Sequence, residues 1–327
     1  MPPADLEASY VLPLRWTDDG DFDDLTAYLQ VLATRVEVIV VDGSPAERFA
    51  AHHRAWAAFS FHMPPDPRFG FLNGKVNGVL TGIFQAGREA VVVADDDVRY
   101  RWVELEQVVA ALGAADVVRP QNYFYPLPWH ARWDTARILL NRATGGDFGG
   151  TLGVRRSTLL GLGGYDGDVL FENLELMRTV EAAGGVVRHL PGCLVRRLPP
   201  TTSHFVHQRV RQAYDEWARP ARMVAGLGLL PSVAWLAARR RLAPLALGTA
   251  GAMAVAEVGR RRAEGRTRFP ATSSLLAPAW VAERAVCSWL ALAQRATGGC
   301  PYAGQRFLRA ATPVRNLRKP TSMSVST

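Results

Sequence analysis

Apolar positions through the first 120 residues follow two alternating rhythms. Short runs rich in β-branched residues occur at Tyr10 to Leu14, Val36 to Val41, Ala90 to Ala94 and Asp116 to Arg119, with a poorer one at Phe59 to Met63. Between them, Asp23 to Ala33, Gly74 to Ala86 and Trp102 to Leu112 space their apolar residues at helical intervals. Runs of the first kind suit buried strands, and the second kind suit helices with one apolar face. Their alternation predicts an α/β chain with a Rossmann-like, mostly parallel sheet and helices on its faces.

Farther along, Asp147 to Arg155 (DFGGTLGVR) reads as a strand leaving a glycine-rich loop, and Glu172 to Ala183 as a helix that Gly184-Gly185 ends. The segment QNYFYPLPWHARWD reads as an aromatic loop. After Pro220 the pattern changes. Met223 to Ala238 is almost wholly apolar, Arg239 to Arg241 interrupts, Leu242 to Val258 is apolar again, and Arg260 to Arg262 closes the pair. Each run is at the short limit for crossing a bilayer and is rich in Ala and Gly. If both runs spanned, the triple-arginine turn would face outward, against the positive-inside rule. An interfacial or re-entrant hairpin, with its arginines at anionic headgroups, fits better than a spanning pair or a buried soluble one. From Pro313 onward the chain is basic and Ser/Thr-containing, and disorder is expected.

Charge sharpens this division. The net charge of +8 separates into 19 Lys+Arg against 25 Asp+Glu over 1–200, and 19 against 5 over 201–327, or −6 and +14. The basic third suits an anionic membrane surface; it tracks apolar helices and carries no nucleic-acid module. Cys193, Cys287 and Cys300 are far apart without metal-ligand spacing, so reduced, structural thiols are expected. The opening MPPADLEASY has neither the basic nor the apolar region of a signal peptide, which favours a cytoplasmic location.

The strand AVVVADDDV ends in Asp95, Asp96 and Asp97. Carboxylates at the carboxyl end of a parallel strand face the edge where such sheets bind ligands. Residues i and i+2 point the same way, so Asp95 and Asp97 can share a hard cation such as magnesium. The plainer reading is an acidic turn capping the next helix. VEVIVVDGS ends in Asp42, Gly43 and Ser44, suited to a ribose hydroxyl or a base nitrogen, or simply to a helix N-cap. No G-x-G-x-x-G follows the first strand and no Walker sequence occurs, which removes the dinucleotide and P-loop readings.

Together these strands resemble the family 2 glycosyltransferases, a group with a single Rossmann-like (GT-A) domain that includes ceramide glucosyltransferases and β-glycan synthases. The resemblance runs to about residue 217. It implies that Asp42 contacts the nucleotide, that a D-x-D within Asp95 to Asp97 binds metal and diphosphate, and that Lys75 and Asn77 lie on the nucleotide side. GGTLGVRRSTLLGLGGYDGDVLFENLELMRTVEAAGG is similar to the family's acceptor block, which places Gly150, Tyr165 and Asp166 beside the acceptor. The family's general base is an Asp in an E-D pair, and here the pair reads Glu172-Asn173. Glu172, one residue away, is the expected substitute, with Glu175 as a further possibility. HQRVRQAYDEW matches the family's Q-x-x-R-W motif at Gln208 and Arg211, which implies diphosphate contact; Gln212 replaces the Trp and argues against processive synthesis. Trp129 in the aromatic segment offers a face for a sugar or an apolar acceptor tail, with core packing as the alternative.

The sequence therefore predicts a GT-A catalytic domain over 1–217, a membrane-associated helical region over 218–312 and a disordered tail over 313–327. The expected activity is inverting, metal-assisted transfer of a sugar from a nucleotide-diphosphate donor to a hydroxyl of a lipid or cell-envelope glycan, at the cytoplasmic face of the membrane with Mg2+ or Mn2+. A catalytically inactive binding or scaffold protein and a nucleotidyltransferase are the rivals.

Overall fold

The computed structural model describes residues 6–18, 20–145 and 147–317. The first half winds β1 (Ala8–Leu14), α1 (Phe22–Leu32), β2 (Glu37–Asp42), α2 (Ala46–Trp56), β3 (Phe61–Met63), α3 (Gly74–Gln85) and β4 (Ala90–Ala94). There follow β5 (Val98–Arg99), α4 (Trp102–Ala111), β6 (Val117–Phe124), α5 (Trp129–Thr144), β7 (Thr151–Arg155) and α6 (Arg156–Gly161). Then α7 (Glu172–Ala182), β8 (Val187–Arg197) and α8 (Thr202–Tyr214) complete the α/β part.

All eight strands join one sheet in the order β3-β2-β1-β4-β7-β6-β8-β5. The first four pair in parallel, β7 enters antiparallel between β4 and β6, and β6 runs parallel to β8. Both faces are covered. Tyr10, Leu12, Val38, Val40 and Val92 pack with Leu25, Leu29 and Trp56 on one side, while Val11, Ile39, Val41 and Val93 pack with Val76, Val79, Ile83 and Leu176 on the other. Burial on two faces is why these strands read as unbroken apolar runs.

Two segments depart from the sequence expectation. The stretch expected as an aromatic loop, 121–134, is the end of β6 followed by the start of α5. The eight residues of β6 are all buried, but Arg119, Gln121 and Asn122 are among them, and these polar members hide the strand pattern. Helix α5 likewise buries His130, Asp134, Asn141 and Arg142. The tail from 313 begins with a short helix, α13 (Val314–Leu317), where disorder was expected; 318–327 lie outside the described residues.

Beyond residue 217 come α9 (Pro220–Ala238), α10 (Leu242–Arg261), α11 (Ala271–Leu275), α12 (Ala277–Ala296) and the hairpin β9 (Cys300–Tyr302) and β10 (Gln305–Phe307), ahead of α13. At 1.5 Å per residue, α9 and α10 are about 28 and 30 Å long. Over their most apolar stretches only 6% and 11% of residues are buried. Val224, Trp235, Leu242 and Leu247 project into the surroundings, Leu247 being 74% exposed. The pair is anchored at the start of α9, where Met223 is buried, and at the base of α10. Ala256 and Gly259 are buried there against α5, and a Cβ on Gly259 would lie 1.9 Å from the Leu139 carbonyl oxygen. Arg142 of α5 donates to the carbonyls of Gly259 (3.1 Å), Arg262 (2.5 Å) and Pro191 (3.0 Å), tying that base to β8. Helix α12 returns over α8 and α9. The three cysteines are free and buried, as expected.

Candidate functional site

The carboxyl end of β4 opens into a cleft of about 180 Å3. Its lining includes Lys75, Asp95, Asp97, Glu172, Asn173, Arg197, Gln208, Arg211, Asp215 and Arg284. Lys75 stands in the first turn of α3, whose cap is Asn73: the Asn73 side chain accepts from the Lys75 amide at 3.1 Å. From there the Lys75 ammonium reaches Asp95 at 2.5 Å and Glu172, in the first turn of α7, at 2.8 Å. Arg197, at the end of β8, contacts Asp97 at 2.7 Å and Asp95 at 3.2 Å. Gly150 makes this approach feasible, since a Cβ there would lie 2.5 Å from an Asp95 carboxylate oxygen.

The two aspartates are electrostatically unlike. Burial opposes the charge on Asp95, but Lys75 and Arg197 outweigh it and hold the carboxyl below its ordinary value. Asp97 is pushed up to about 6 by burial, to which the neighbouring charges of Asp95 and Asp96 add despite Arg197. Lys75 is raised, because the pull of Asp95 and Glu172 exceeds its own burial penalty. A pair of hard oxygen ligands two residues apart, one of them crowded by like charge, fits a divalent cation.

Other residues expected from sequence are distributed around this centre. Asp96 accepts from the Trp16 indole, and the Trp16 amide donates to Ser44 at 2.8 Å, which joins the ends of β1, β2 and β4. Asp42 is buried, outside the cleft lining. Its Oδ2 meets His52 Nδ1 at 2.6 Å and His62 Nε2 at 3.2 Å, and its Oδ1 accepts from the Ser44 amide at 2.8 Å. Burial would raise it, but these hydrogen bonds hold its pKa down to about 2. Asn77 clamps the turn before α3, exchanging hydrogen bonds with the Phe71 amide and carbonyl. Tyr165 is buried, and Asp166 pairs with Arg309 at 2.9 Å. Trp129 is 60% exposed and packs edge-on against Phe205, which lines the cleft. Gln208 and Arg211 both line the cleft; Gln208 contacts His204, and the Arg211 guanidinium lies 4.6 Å over the Tyr302 ring. Asn173, at the position of the expected base, donates to the Gly149 carbonyl at 3.0 Å. Glu175, the other acid weighed for that role, is fully buried and accepts from the Thr312 amide at 2.7 Å, so it faces away from the cleft lining.

Several cleft residues escape sequence reading, among them Arg197, Asp215, Arg284 and the α5 residue Arg137, which pairs with Asp134 and Asp147 at 3.2 and 3.1 Å. Only Arg197 had a signal, as the second arginine in the run LVRRL, where a strand meets a proline pair.

No family model and no curated protein matches the chain. Solved structures do. A mannosyltransferase from Pyrobaculum calidifontis, in complex with GDP-mannose and Mn2+, is 17% identical, has a TM-score of 0.58, and matches over 88% of each chain. A glucosyl-3-phosphoglycerate synthase from Mycobacterium tuberculosis, in complex with Mn2+, UDP and glucosyl-3-phosphoglycerate, is 14% identical with a TM-score of 0.42, over 61% of this chain and 75% of that one. The fold is the GT-A type: a mixed α/β chain around a large, mainly parallel sheet. Residues 1–217 are about 66% of 327, so the 88% match also reaches into the helical region.

Proposed function

We propose that the chain is a metal-dependent glycosyltransferase that uses a nucleotide-diphosphate sugar. One observation carries the reading: Asp95 and Asp97 converge at the carboxyl end of β4, inside a cleft that also holds Lys75, Arg197 and Arg211. This is the charge pattern a diphosphate leaving group requires, with carboxylates to hold a cation and cations to meet the phosphate oxygens. The mannosyltransferase of like fold was solved with a nucleotide sugar and Mn2+, which supports the same donor class here.

Asp95 and Asp97 would hold Mg2+ or Mn2+. When bound, that cation supplies positive charge against the charge that builds on the departing diphosphate. Lys75 and Arg197, now paired with the aspartates, would exchange carboxylate oxygens for phosphate oxygens, and Arg211 and Gln208 would close the site from α8. Trp16, Ser44 and Asp96 frame the nucleoside side. Asp42 acts there through the Ser44 turn, as a positioning residue. Trp129 and Phe205 would give the acceptor an aromatic rim, with Gly150, Tyr165 and Asp166 supporting the wall behind it. Attack from the side opposite the diphosphate inverts the anomeric centre.

A hydroxyl acceptor would need a base, and Glu172 is the carboxylate beside the family's position. Its carboxylate is engaged by the Lys75 ammonium at 2.8 Å, a contact that would have to open before Glu172 could face an acceptor hydroxyl. Residues 1–217 are the catalytic domain in this reading. Residues 218–312 hold it at the cytoplasmic membrane face through the exposed apolar hairpin α9–α10 and the arginines at 239–241. A lipid or envelope-glycan acceptor follows from that location.

The test is calorimetric binding of UDP, GDP and dTDP with and without Mn2+, on the native protein and an Asp95→Ala, Asp97→Ala double variant. One nucleotide should bind only with metal, and the variant should lose it. Binding of none under any condition would sink the proposal and leave a scaffold protein with this fold.

A further inference from the structure

Most cations lining the cleft are paired: Lys75 with Asp95 and Glu172, Arg137 with Asp134 and Asp147, Arg197 with Asp97, and Arg219 with Glu216 at 3.2 Å. Arg284 and Arg211 make no ion pair among the described residues. Arg284, on α12, is 8% exposed. Its one hydrogen bond runs from Nη2 to the Gln212 side-chain oxygen at a long 3.4 Å, while Nε and Nη1 are buried without a partner. Arg211 Nε is also buried and unpartnered. Burial and the like charge of Arg209 push Arg284 down to about 10, although Glu216 and Glu283 lie near. A buried guanidinium with idle donors is costly unless something anionic meets it.

The donor does not account for this surplus. In the reading above its diphosphate is already met by the cation on Asp95 and Asp97 and by Lys75 and Arg197 on the β4 side, with Arg211 closing over it from α8. Arg284 comes from α12 instead and lines the cleft with Asp215, whose Oδ1 is likewise buried and unpartnered. A second observation meets the first. Where a base is expected the chain has Asn173, fixed to the Gly149 carbonyl, and the neighbouring Glu172 is held by Lys75.

Resting on the glycosyltransferase reading, we propose that the acceptor nucleophile is a phosphate monoester, held by Arg284, and not a hydroxyl. A phosphate monoester has its second pKa near 6 and is mostly dianionic at neutral pH, so it attacks without losing a proton to the protein. An acceptor phosphate oxygen forms the new bond to the anomeric carbon. The bond from that carbon to the donor's diphosphate oxygen breaks, and its electron pair leaves with the nucleoside diphosphate. The products are a sugar phosphodiester carrying one negative charge and a nucleoside diphosphate carrying three. Reactants with two each balance this, and no proton moves. The asparagine in the base's place and the idle Arg284 guanidinium then have one cause.

The phosphate can belong to a lipid or to a soluble ester. Helix α12 packs on the apolar α9, with Trp289 donating to the Leu227 carbonyl at 3.1 Å, so Arg284 sits beside the proposed membrane face.

Calorimetry on the full chain in nanodiscs separates the cases, using farnesyl phosphate, farnesol and glycerol 3-phosphate on native protein, Arg284→Gln and Arg284→Lys. Farnesyl phosphate should bind at least tenfold tighter than farnesol. Arg284→Gln should lose at least tenfold for the phosphate while keeping metal-dependent nucleotide binding, which also reports that it folds, and Arg284→Lys should recover part of the loss. Equal affinity for farnesyl phosphate and glycerol 3-phosphate would support the phosphate and name a soluble source; much tighter farnesyl phosphate names a lipid. Equal binding of farnesol, no binding of either phosphate, or unchanged phosphate affinity in Arg284→Gln overturns the inference. Loss of nucleotide binding in the native protein is a separate result that overturns the glycosyltransferase reading alone.

Discussion

Asp97 carries the sharpest consequence at the residue scale. Its pKa is raised in the fold to about 6 from 3.8, so the ionised carboxylate costs stability above about pH 6, and the cost vanishes below about 4, where folded and unfolded chains are both protonated. In chelator, Asp97→Asn should therefore melt about 2–6 °C higher than the native chain at pH 7.5, from roughly 1–3 kcal/mol of relieved charge crowding. The gain should shrink as pH falls through 6 toward 4, and a lower melting point for the variant at pH 7.5 would show the crowding argument to be wrong. By the same titration, metal-dependent nucleotide binding to the native chain should weaken as pH falls from 7 to 5. Gly150→Ala sets a Cβ against Asp95 and should cost about 1–3 kcal/mol of stability. It should also weaken metal-dependent nucleotide binding at least tenfold; unchanged affinity would mean that Asp95 has room to move. Asp42→Ala tests positioning against contact. It should cost about 2–3 kcal/mol by removing the buried carboxylate that His52 and His62 both meet. Below its melting point it should bind nucleotide far better than the Asp95→Ala, Asp97→Ala variant, and equal loss in the two would restore Asp42 as a direct contact.

Elements differ in how openly the sequence announces them. Strands β1, β2 and β4 are buried on both faces and apolar but for Ser9, Glu37 and Asp42 at their ends, so their runs are unambiguous, and Asp95 to Asp97 stand out because they end such a run. Strand β6 and helix α5 bury polar side chains that find partners only in the folded chain, such as Gln121 with Asp147 at 2.6 Å, and period and composition fail together there. Asp42 was visible as a strand-end acid, but its partners lie 10 and 20 residues on, in α2 and β3, and nothing local announces the cluster. Arg284 was invisible for a related reason: an alanine-rich helix places it, and only the return of α12 over α8 aims it at the cleft. The exposed pair α9 and α10 was legible from hydropathy alone. Trp235→Glu with Leu247→Glu should leave the melting point nearly unchanged, since both residues are more than half exposed. The same variant should strip the protein from anionic vesicles in a flotation assay; undiminished flotation would place the contact elsewhere. Raising salt should weaken native binding in part, through Arg239, Arg240 and Arg241.

At the scale of the whole molecule, the acidic part of the sequence coincides with a mixed α/β body and the basic part with the two apolar helices near the C-terminus. What charge counting missed is that the basic part also lines the cleft, through Arg284, because α12 folds back over α8. Arg142 then acquires a mechanical meaning. One buried guanidinium grips the carbonyls of Gly259, Arg262 and Pro191, at the foot of the hairpin and on the strand that ends in Arg197. Through that one side chain the foot of the hairpin and the strand that carries Arg197 meet in a single joint.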